Sequence, residues 1–258
     1  MKKLAPLSFL SLLFLALSSS DVYAKTYKVC TVDIPGGMTA DKEGPQPLFN
    51  FYQEVIEMVR QKTGDEFELQ FAPALRCQNL FFANQIDIIW PYIISEDLER
   101  FKESGYSFVP IYSMPIIMGG YHIVTREEDP VLNNIEELEG KTAVSARGYG
   151  IPKEFDENAN ITKSLTNSNE SIPKMLLGER VDAGIIQTGW IPTLREQGLM
   201  EGLHYGEVIE FWGGSFTFQL NQEGAILSNT FSNAILQLVT QGKYRDMVTG
   251  APYYIPTY

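Results

Sequence analysis

Arginines, a glutamine and several aromatic residues stand directly after segments that have the pattern of β-strands. These side chains are Arg76, Trp90, Tyr92, Ser95, Arg100, Arg147, Tyr149, Gln187 and Trp190. In open α/β sheets, ligands bind outside the carboxyl ends of the strands. Guanidinium groups grip carboxylates, and aromatic rings supply flat apolar walls. The pattern therefore predicts a ligand-binding site at these strand ends, with Ser95 as a further polar contact.

The segment 147–150, Arg-Gly-Tyr-Gly, forms a loop directly after an apolar strand pattern. Backbone N–H groups at the start of a helix favour a negatively charged ligand group. We expect a helix start here that exposes such groups. As a phosphate-binding motif the segment is weak, and the sequence contains no P-loop.

Apolar periodicity gives the elements that must position these residues. The first third of the chain predicts strands at 25–31, 67–71 and 86–90, with helices at 48–59 and 76–84 between them. Gly64 follows the first helix pattern and predicts its end. This β-α-β-α-β alternation is typical of an open α/β sheet.

A second α/β unit follows. Its predicted strands are 121–125, 142–145, 183–187 and 208–212, and its predicted helices are 133–138 and 171–177, the latter capped by Asn169. The tail adds a separate strand at 216–220 and a helix that begins near Ser228 and ends at Gly242. The class is therefore α/β, with two sheet-and-helix units.

Composition excludes several classes of protein. The 258 residues carry a formal charge of −12, are 44% hydrophobic and 20% charged, and have ordinary globular balance. The acidic excess argues against nucleic acid and anionic membrane surfaces as partners. Two histidines are too few for a histidine-built metal site. We expect neither a metal nor a cofactor.

Residues 1–24 have the three parts of a secretory signal peptide. Lys2 and Lys3 form a basic start, residues 4–17 are almost wholly apolar, and Val22-Tyr23-Ala24 presents compact residues for cleavage. A membrane anchor requires about 20 apolar residues. We expect cleavage after Ala24, a periplasmic protein and no membrane insertion after cleavage.

Five segments together resemble the periplasmic, or extracellular, solute-binding proteins of family 3, which bind amino acids for uptake. They are residues 84–89, 99–112, 135–144, 177–183 and 241–244. Residues 135–144, Ile-Glu-Glu-Leu-Glu-Gly-Lys-Thr-Ala-Val, resemble the family segment Leu-Glu-Asp-Leu-Lys-Gly-Lys-Lys-Val-Ala-Val. The segments follow the family's order over nearly the whole chain after the signal peptide.

The resemblance implies a two-lobed fold, the type II fold of periplasmic binding proteins. Each lobe is an open, mainly parallel sheet flanked by helices, and two hinge crossovers join the lobes. We expect lobe 1 at 25–118 and 215–258 and lobe 2 at 119–214. The crossovers are expected near Met118-Gly119 and Gly213-Gly214, where glycine absorbs backbone rotation, although plain turns explain each pair equally well.

The resemblance also assigns roles. Arg100 matches the family arginine that holds the carboxylate of the ligand, with an ion pair to Glu96 or Asp97 as its alternative. Arg76 matches an arginine that faces the cleft in some subgroups, with a solvated helix start as its alternative. Gln187 stands where amino-acid binders place an aspartate for the ammonium of the ligand. Because glutamine is neutral, an ordinary α-amino acid is not expected.

The implied function is non-catalytic binding of a small, anionic or zwitterionic solute by closure of two lobes. The partner would be an ABC-type permease or a sensor, and the protein is expected to be a monomer. The alternative is an exported enzyme on the same fold, similar to cyclohexadienyl or arogenate dehydratases. Its cleft acid would come from Asp33, Asp41 or Glu43, whose other interpretation is solvated loop charge.

Two cysteines, Cys30 and Cys77, are the only ones in the sequence. Export makes a disulfide between them chemically accessible. Two buried free thiols fit the sequence equally well, because a sequence does not give the distance between the two Cα atoms.

Overall fold

The computed structural model describes residues 24–44, 46–94, 102, 105 and 107–251. The strands in these ranges are β1 Thr26–Thr31, β2 Glu66–Phe71, β3 Ile88–Ile93, β4 Ile111–Tyr112, β5 Ile117–Arg126, β6 Thr142–Ala146, β7 Thr162–Thr166, β8 Ala183–Gln187, β9 Leu203–Tyr205 and β10 Glu210–Phe218. The α-helices are α1 Pro47–Thr63, α2 Ala74–Phe82, α3 Lys153–Glu157, α4 Ser171–Leu177, α5 Ile191–Glu196, α6 Gln222–Thr240 and α7 Lys243–Val248.

The strands form two parallel groups joined by two antiparallel strands. Their order is β2-β1-β3-β10-β5-β8-β6-β7, with β4 added to β10 and β9 added to β5. Strands β1, β2 and β3 are parallel to one another, as are β6, β7 and β8. Strands β10 and β5 run antiparallel to their neighbours and to each other. This is the two-lobed α/β architecture that the sequence predicts.

The two predicted crossovers lie side by side. In the pairing of β5 with β10, Met118 is opposite Gly213 and Gly119 is opposite Trp212. The separate strands predicted at 208–212 and 216–220 are therefore wrong. Strand β10 runs unbroken over Glu210–Phe218, because Gly213 and Gly214 keep an ordinary negative-φ backbone. At these glycines the structure shows continuous strand instead of the plain turns that the sequence also allowed.

Helix α1 and the aromatic end of β3 form the core of the first lobe. The helix buries one face at helical spacing, including Leu48, Phe51, Val55 and Val59, and Gly64 ends it with a φ of 79°. Strand β3 begins at Ile88 and extends to Ile93, which is later than predicted. Its position carries the chain past the core to the carboxyl edge of the sheet.

The core of the second lobe lies between α4, α5 and the parallel strands. Ile172 and Leu176 of α4 pack with Val144 and Ile186, as their spacing predicts. The predicted cap by Asn169 is wrong: Glu170 is the N-cap residue, and no side chain caps the helix. Asn169 instead uses its backbone carbonyl to accept a bond from the N–H of Ile172.

Two further helix predictions need correction. The predicted helix 133–138 is only a 3-10 turn at Glu136–Leu138, because Glu139 adopts extended backbone directly after it. Helix α6 begins six residues before Ser228, at Gln222. The side chain of Asn221 accepts a hydrogen bond from the N–H of Gly224 at 2.7 Å, which caps this earlier start.

Cys30 and Cys77 are bonded to each other, with Cα atoms 5.6 Å apart. Both residues are buried. The bond ties α2 to the middle strand of the first lobe. In the chain-entropy description, closing a loop of this length stabilises the folded state by about 4 kcal/mol.

Gly119 owes its identity to packing. A Cβ atom at this position would collide with the buried indole ring of Trp212, whereas a Cβ at Gly213 would meet nothing nearer than Pro115 Cβ at 3.3 Å. We expect Gly119→Ala to cost about 1–3 kcal/mol through overpacking, and each kcal/mol to lower Tm by about 2–4 °C. Gly213→Ala is the matched control with a smaller loss. Equal losses in thermal unfolding would show that the contact with Trp212 does not constrain the crossover.

Candidate ligand-binding cleft

The carboxyl ends of the two parallel strand groups face each other. Helix α2, which follows β2, meets the loop 147–150, which follows β6: Gln78 Nε2 donates a hydrogen bond to the carbonyl oxygen of Gly148 at 3.0 Å. At the end of β3, Ile93 approaches so closely that a Cβ atom on Gly150 would lie 2.5 Å from its Cδ1. We call the space along this boundary the cleft.

Both edges of the cleft are topological switch points. Strand β1 has β2 on one side and β3 on the other, and β6 lies in the same way between β7 and β8. In the first group the chain goes from β1 to β2 on one side and then to β3 on the other side. In the second group it goes from β6 to β7 on one side and then to β8 on the other. This reversal leaves a crevice at the carboxyl ends of each group. The general rule for open sheets thus places both binding edges where the lobes meet.

The loop 147–150 is a turn and not a helix start. Helix α3 begins only at Lys153, has Pro152 as its N-cap residue and is five residues long. Pro152 disfavours helical backbone at the residue before it, which explains the late start. The predicted cradle of N–H groups at a helix start is therefore wrong. The loop instead presents two carbonyl groups, of Gly148 and Gly150, that accept bonds from glutamine side chains.

Gln187 is the second of these glutamines. It ends β8, is 7% exposed, and donates from Nε2 to the carbonyl of Gly150 at 3.3 Å. Its amide thus holds a loop of its own lobe. A carboxylate at this position has no hydrogen to donate to a carbonyl, so glutamine suits this contact better than the aspartate of the amino-acid binders.

Tyr149 and Trp190 form an aromatic pair beside the loop. Their ring centroids are 5.8 Å apart with an interplanar angle of 86°, and Trp190 is buried while Tyr149 is half-buried. Burial, together with the negative charges of Glu170 and Asp33, raises the pKa of Tyr149 to about 12. Because Asp33 follows β1, the hydroxyl group of Tyr149 senses charge from both lobes.

Two of the three predicted arginines lie in the described part of the chain. Arg147 is exposed, and its guanidinium has no hydrogen bond or ion pair with another described residue. Arg76 is also exposed and lines a surface groove along α2 with Leu80 and Ala83. Arg100 and Ser95 lie outside the described residues.

Trp90 and Tyr92 occupy different environments on β3. Trp90 is fully buried, stacks on Phe216 at 5.1 Å and packs against Tyr52 at 5.5 Å, so its ring is part of the core beneath the cleft. Tyr92 is half-buried and pairs with Ser215 of β10 near the end of β3. Of the two side chains, only that of Tyr92 is partly exposed and able to contact a ligand.

A buried histidine supports the far side of Gln187. His122 of β5 contacts the carbonyl of Gly206 through Nδ1 at 2.9 Å and Thr188 Oγ1 through Nε2 at 3.1 Å. The same hydroxyl accepts the N–H of Gly120 at 3.1 Å. Thr188 directly follows Gln187, so this network fixes the end of β8 to β5. No sequence motif marks it, since it depends on pairing across the sheet.

The acidic residues of the first loop serve the loop itself. Asp33 Oδ1 accepts the N–H of Ala40 at 2.8 Å. Asp41 Oδ1 accepts the hydroxyl of Thr39 at 2.7 Å and the N–H of Glu43 at 3.1 Å. These bonds are ordinary turn contacts of exposed carboxylates.

In the described ranges, no helix is long and apolar enough to cross a membrane. The same ranges contain no cluster of three or more histidine, cysteine or acidic residues arranged for a metal ion.

Solved structures with this architecture include sensor and transport proteins. A histidine kinase sensor domain with similarity to periplasmic binding proteins superposes with a TM-score of 0.72 at 17% identity, covering 90% of this chain and 98% of that chain. The fold is that of two-lobed periplasmic binding proteins. A mutant of ArgBP from T. maritima gives a TM-score of 0.68 at 18% identity, covering 88% and 94% of the two chains.

A third similar structure is an ABC uptake transporter substrate-binding protein from Streptococcus pneumoniae with bound histidine. It has a TM-score of 0.67 at 15% identity and covers 88% of this chain and 92% of that chain. No protein-family model and no curated protein matches the sequence. At these identities the likeness establishes the fold.

The raised pKa of Tyr149 makes a prediction for alkaline pH. The folded state favours the neutral phenol, so its contribution is complete below the unfolded pKa near 10 and is lost as pH rises towards 12. We expect the urea midpoint to fall less steeply across this range in Tyr149→Phe than in the wild type. Tyr27 and Tyr52 also have raised pKa values, and they act equally in both proteins. Identical slopes would show that Tyr149 is solvated like a free phenol.

Proposed function

We propose that this protein binds a small polar solute between its two lobes, without catalysis, and delivers it to an ABC-type transporter or a sensor. The observation that carries the proposal is the contact of one loop with both lobes. Residues 147–150 follow β6 of the second lobe and touch α2 and β3 of the first. A solute at this boundary has groups from both lobes within reach, so its binding favours the closed arrangement.

The proposed lobes are residues 25–118 with 215–258 and residues 119–214. Strands β5 and β10 then form the hinge, because they are the two crossing segments and pair with each other at Met118 and Gly213. Two adjoining strands bend together while their hydrogen bonds hold. Closure by rotation about such a short connection is the common hinge mechanism.

The proposed solute is anionic or zwitterionic. Arg147 offers an unengaged guanidinium beside the cleft, and Arg100 and Arg76 stay candidates for the same role. Gln187 brings no negative charge, and its amide is already bonded to Gly150. An ammonium group therefore finds no negatively charged partner at Gln187. Tyr149 and Trp190 provide aromatic surface, and Tyr92 lies near the end of β3, opposite Ser215.

The proposed location is the periplasm, after cleavage behind Ala24. The described chain fits a new terminus at Lys25. Its backbone nitrogen donates to Asp65 Oδ1 at 3.0 Å, and its side-chain ammonium lies 2.6 Å from Glu223. This ammonium holds the pKa of the Glu223 carboxyl below its usual value. Cleavage would turn the nitrogen into an ammonium group that already has a carboxylate partner.

Two similar proteins support the two proposed partners. One is a transporter subunit and one is a sensor domain, so the fold is compatible with either destination. The contacts of Asp33 and Asp41 are turn contacts, and no observation favours the enzyme alternative. The protein is proposed to act as a monomer.

Native mass spectrometry of the protein exported from cells tests the processing and the ligand in one spectrum. We expect the mass of residues 25–258 with the Cys30–Cys77 bond, together with a non-covalent adduct of a small acid or zwitterion. Arg100→Ala should weaken that adduct about a hundredfold, because a buried anion loses a charge-assisted contact. Arg180→Ala, an exposed arginine on the turn before β8, is the charge-matched control.

Three outcomes would contradict the proposal. A mature protein that retains Met1 would contradict the predicted cleavage of a signal peptide. Solute binding would be contradicted by a mature protein that carries no adduct. That protein would also show no thermal shift with any member of a panel of carboxylates, amino acids and short peptides. Equal affinities of the Arg100→Ala and Arg180→Ala proteins would show that Arg100 does not contact the solute.

A further inference from the structure

A side-chain hydrogen bond from α2 to the loop 147–150 crosses between the lobes. Gln78 Nε2 donates to the carbonyl of Gly148 at 3.0 Å. Gln78 lies one helical turn after Leu75, so both residues are on the face of α2 that meets the second lobe. Neither residue belongs to the predicted binding set, and neither needs a solute to make this contact.

Gly148 is shaped for the contact in two ways. Its φ is +80°, a backbone conformation that favours glycine. A Cβ atom on Gly148 would lie 2.8 Å from the backbone nitrogen of Leu75 and 3.1 Å from its Cβ. The loop therefore reaches α2 backbone to backbone, at a distance that any larger residue would increase.

Both partners of the contact are held firmly in their own lobes. Helix α2 is fixed to β1 by the disulfide between Cys77, the neighbour of Gln78, and Cys30. The loop is held from the other side by Gln187, which bonds the carbonyl of Gly150. Because each partner is anchored, moving one lobe away from the other has to break this bond.

We propose that Gln78 and Gly148 form a latch that favours the closed arrangement of the lobes independently of the solute. The proposal rests on the proposed closing function and adds a named device to it. A neutral hydrogen bond of this kind shifts a two-state equilibrium about two- to tenfold. Apparent solute affinity is proportional to the competent fraction, so the latch also strengthens binding wherever the closed state is the minor one.

The first experiment measures the lobe-to-lobe distance without any solute. Spin labels are placed on cysteines introduced at exposed Lys62 of α1 and Asp156 of α3; Cys30 and Cys77 are bonded to each other and do not react. The protein is unfolded, dialysed and refolded to remove bound solute before pulsed electron resonance. We expect Gln78→Ala to raise the ratio of long to short distances about two- to tenfold, and Gln78→Glu to raise it further.

Gln61→Ala is the control for this measurement. Gln61 is an exposed glutamine of the same lobe whose amide bonds Glu57 within α1. We expect its distance distribution to equal that of the wild type. A Gln78→Ala protein with the wild-type distribution would overturn the latch. Loss of solute adducts in mass spectrometry while the Gln78→Ala shift persists would instead overturn the binding function and leave the latch standing.

A pair of glycines gives an independent test. Gly148 and Gly140 both have positive φ, at +80° and +76°, but a Cβ on Gly140 would meet nothing within 4 Å. Alanine at either site adds similar backbone strain, so the two variants share that part of any loss in thermal stability. Only Gly148→Ala should shift the distances towards the open arrangement, because only its methyl group meets Leu75. Equal distributions in the two variants would contradict the latch.

Discussion

The antiparallel pairing of β5 with β10 is the constraint on which the rest of the structure depends. These two strands are the places where the chain passes between lobes, and they hydrogen-bond to each other from Gly214 opposite Ile117 to Glu210 opposite Tyr121. Each strand also closes the edge of a parallel group, β10 beside β3 and β5 beside β8. Their pairing therefore fixes which ends of the two parallel strand groups face one another.

The facing edges are the carboxyl ends, and glutamine side chains organise them. Gln78 reaches the loop 147–150 from the first lobe, and Gln187 reaches it from the second. Both donate to backbone carbonyls, which leaves the exposed Arg147 as the charged group of the loop. The side chain of Gln187 thereby supports the loop. The negative charge nearby comes from Asp33 and Glu170, which act on Tyr149.

Much of this fold could be predicted from periodicity. Alternation and helical spacing identified β1, α1 and β8, because each buries one face or a whole strand in a single core. The long β10 was divided because Gly213-Gly214 has the composition of a breaker, although a strand that joins two sheets tolerates glycine where partners crowd it. Short elements such as α3 and β9 gave too few residues to show a period.

The site was harder to predict than the fold. Residues after strands were found by a general rule about sheets, and Arg147, Tyr149, Gln187 and Trp190 do gather beside one loop. Gln78 and Thr188 were missed because their contacts join segments about 70 residues apart, and no local pattern encodes such a meeting. Trp90 followed the rule but turns into the core, where Phe216 and Tyr52 receive it.

We propose that the solute binds in the cleft, between the carboxyl ends of the two parallel strand groups. The crystal structure of the exported protein with its carried-over solute tests this most directly. We expect density for the solute between β3 of one lobe and the loops 147–150 and 187–190 of the other. Density confined to an outer surface, such as the cavity lined by Arg195, His204 and Tyr205, would contradict it.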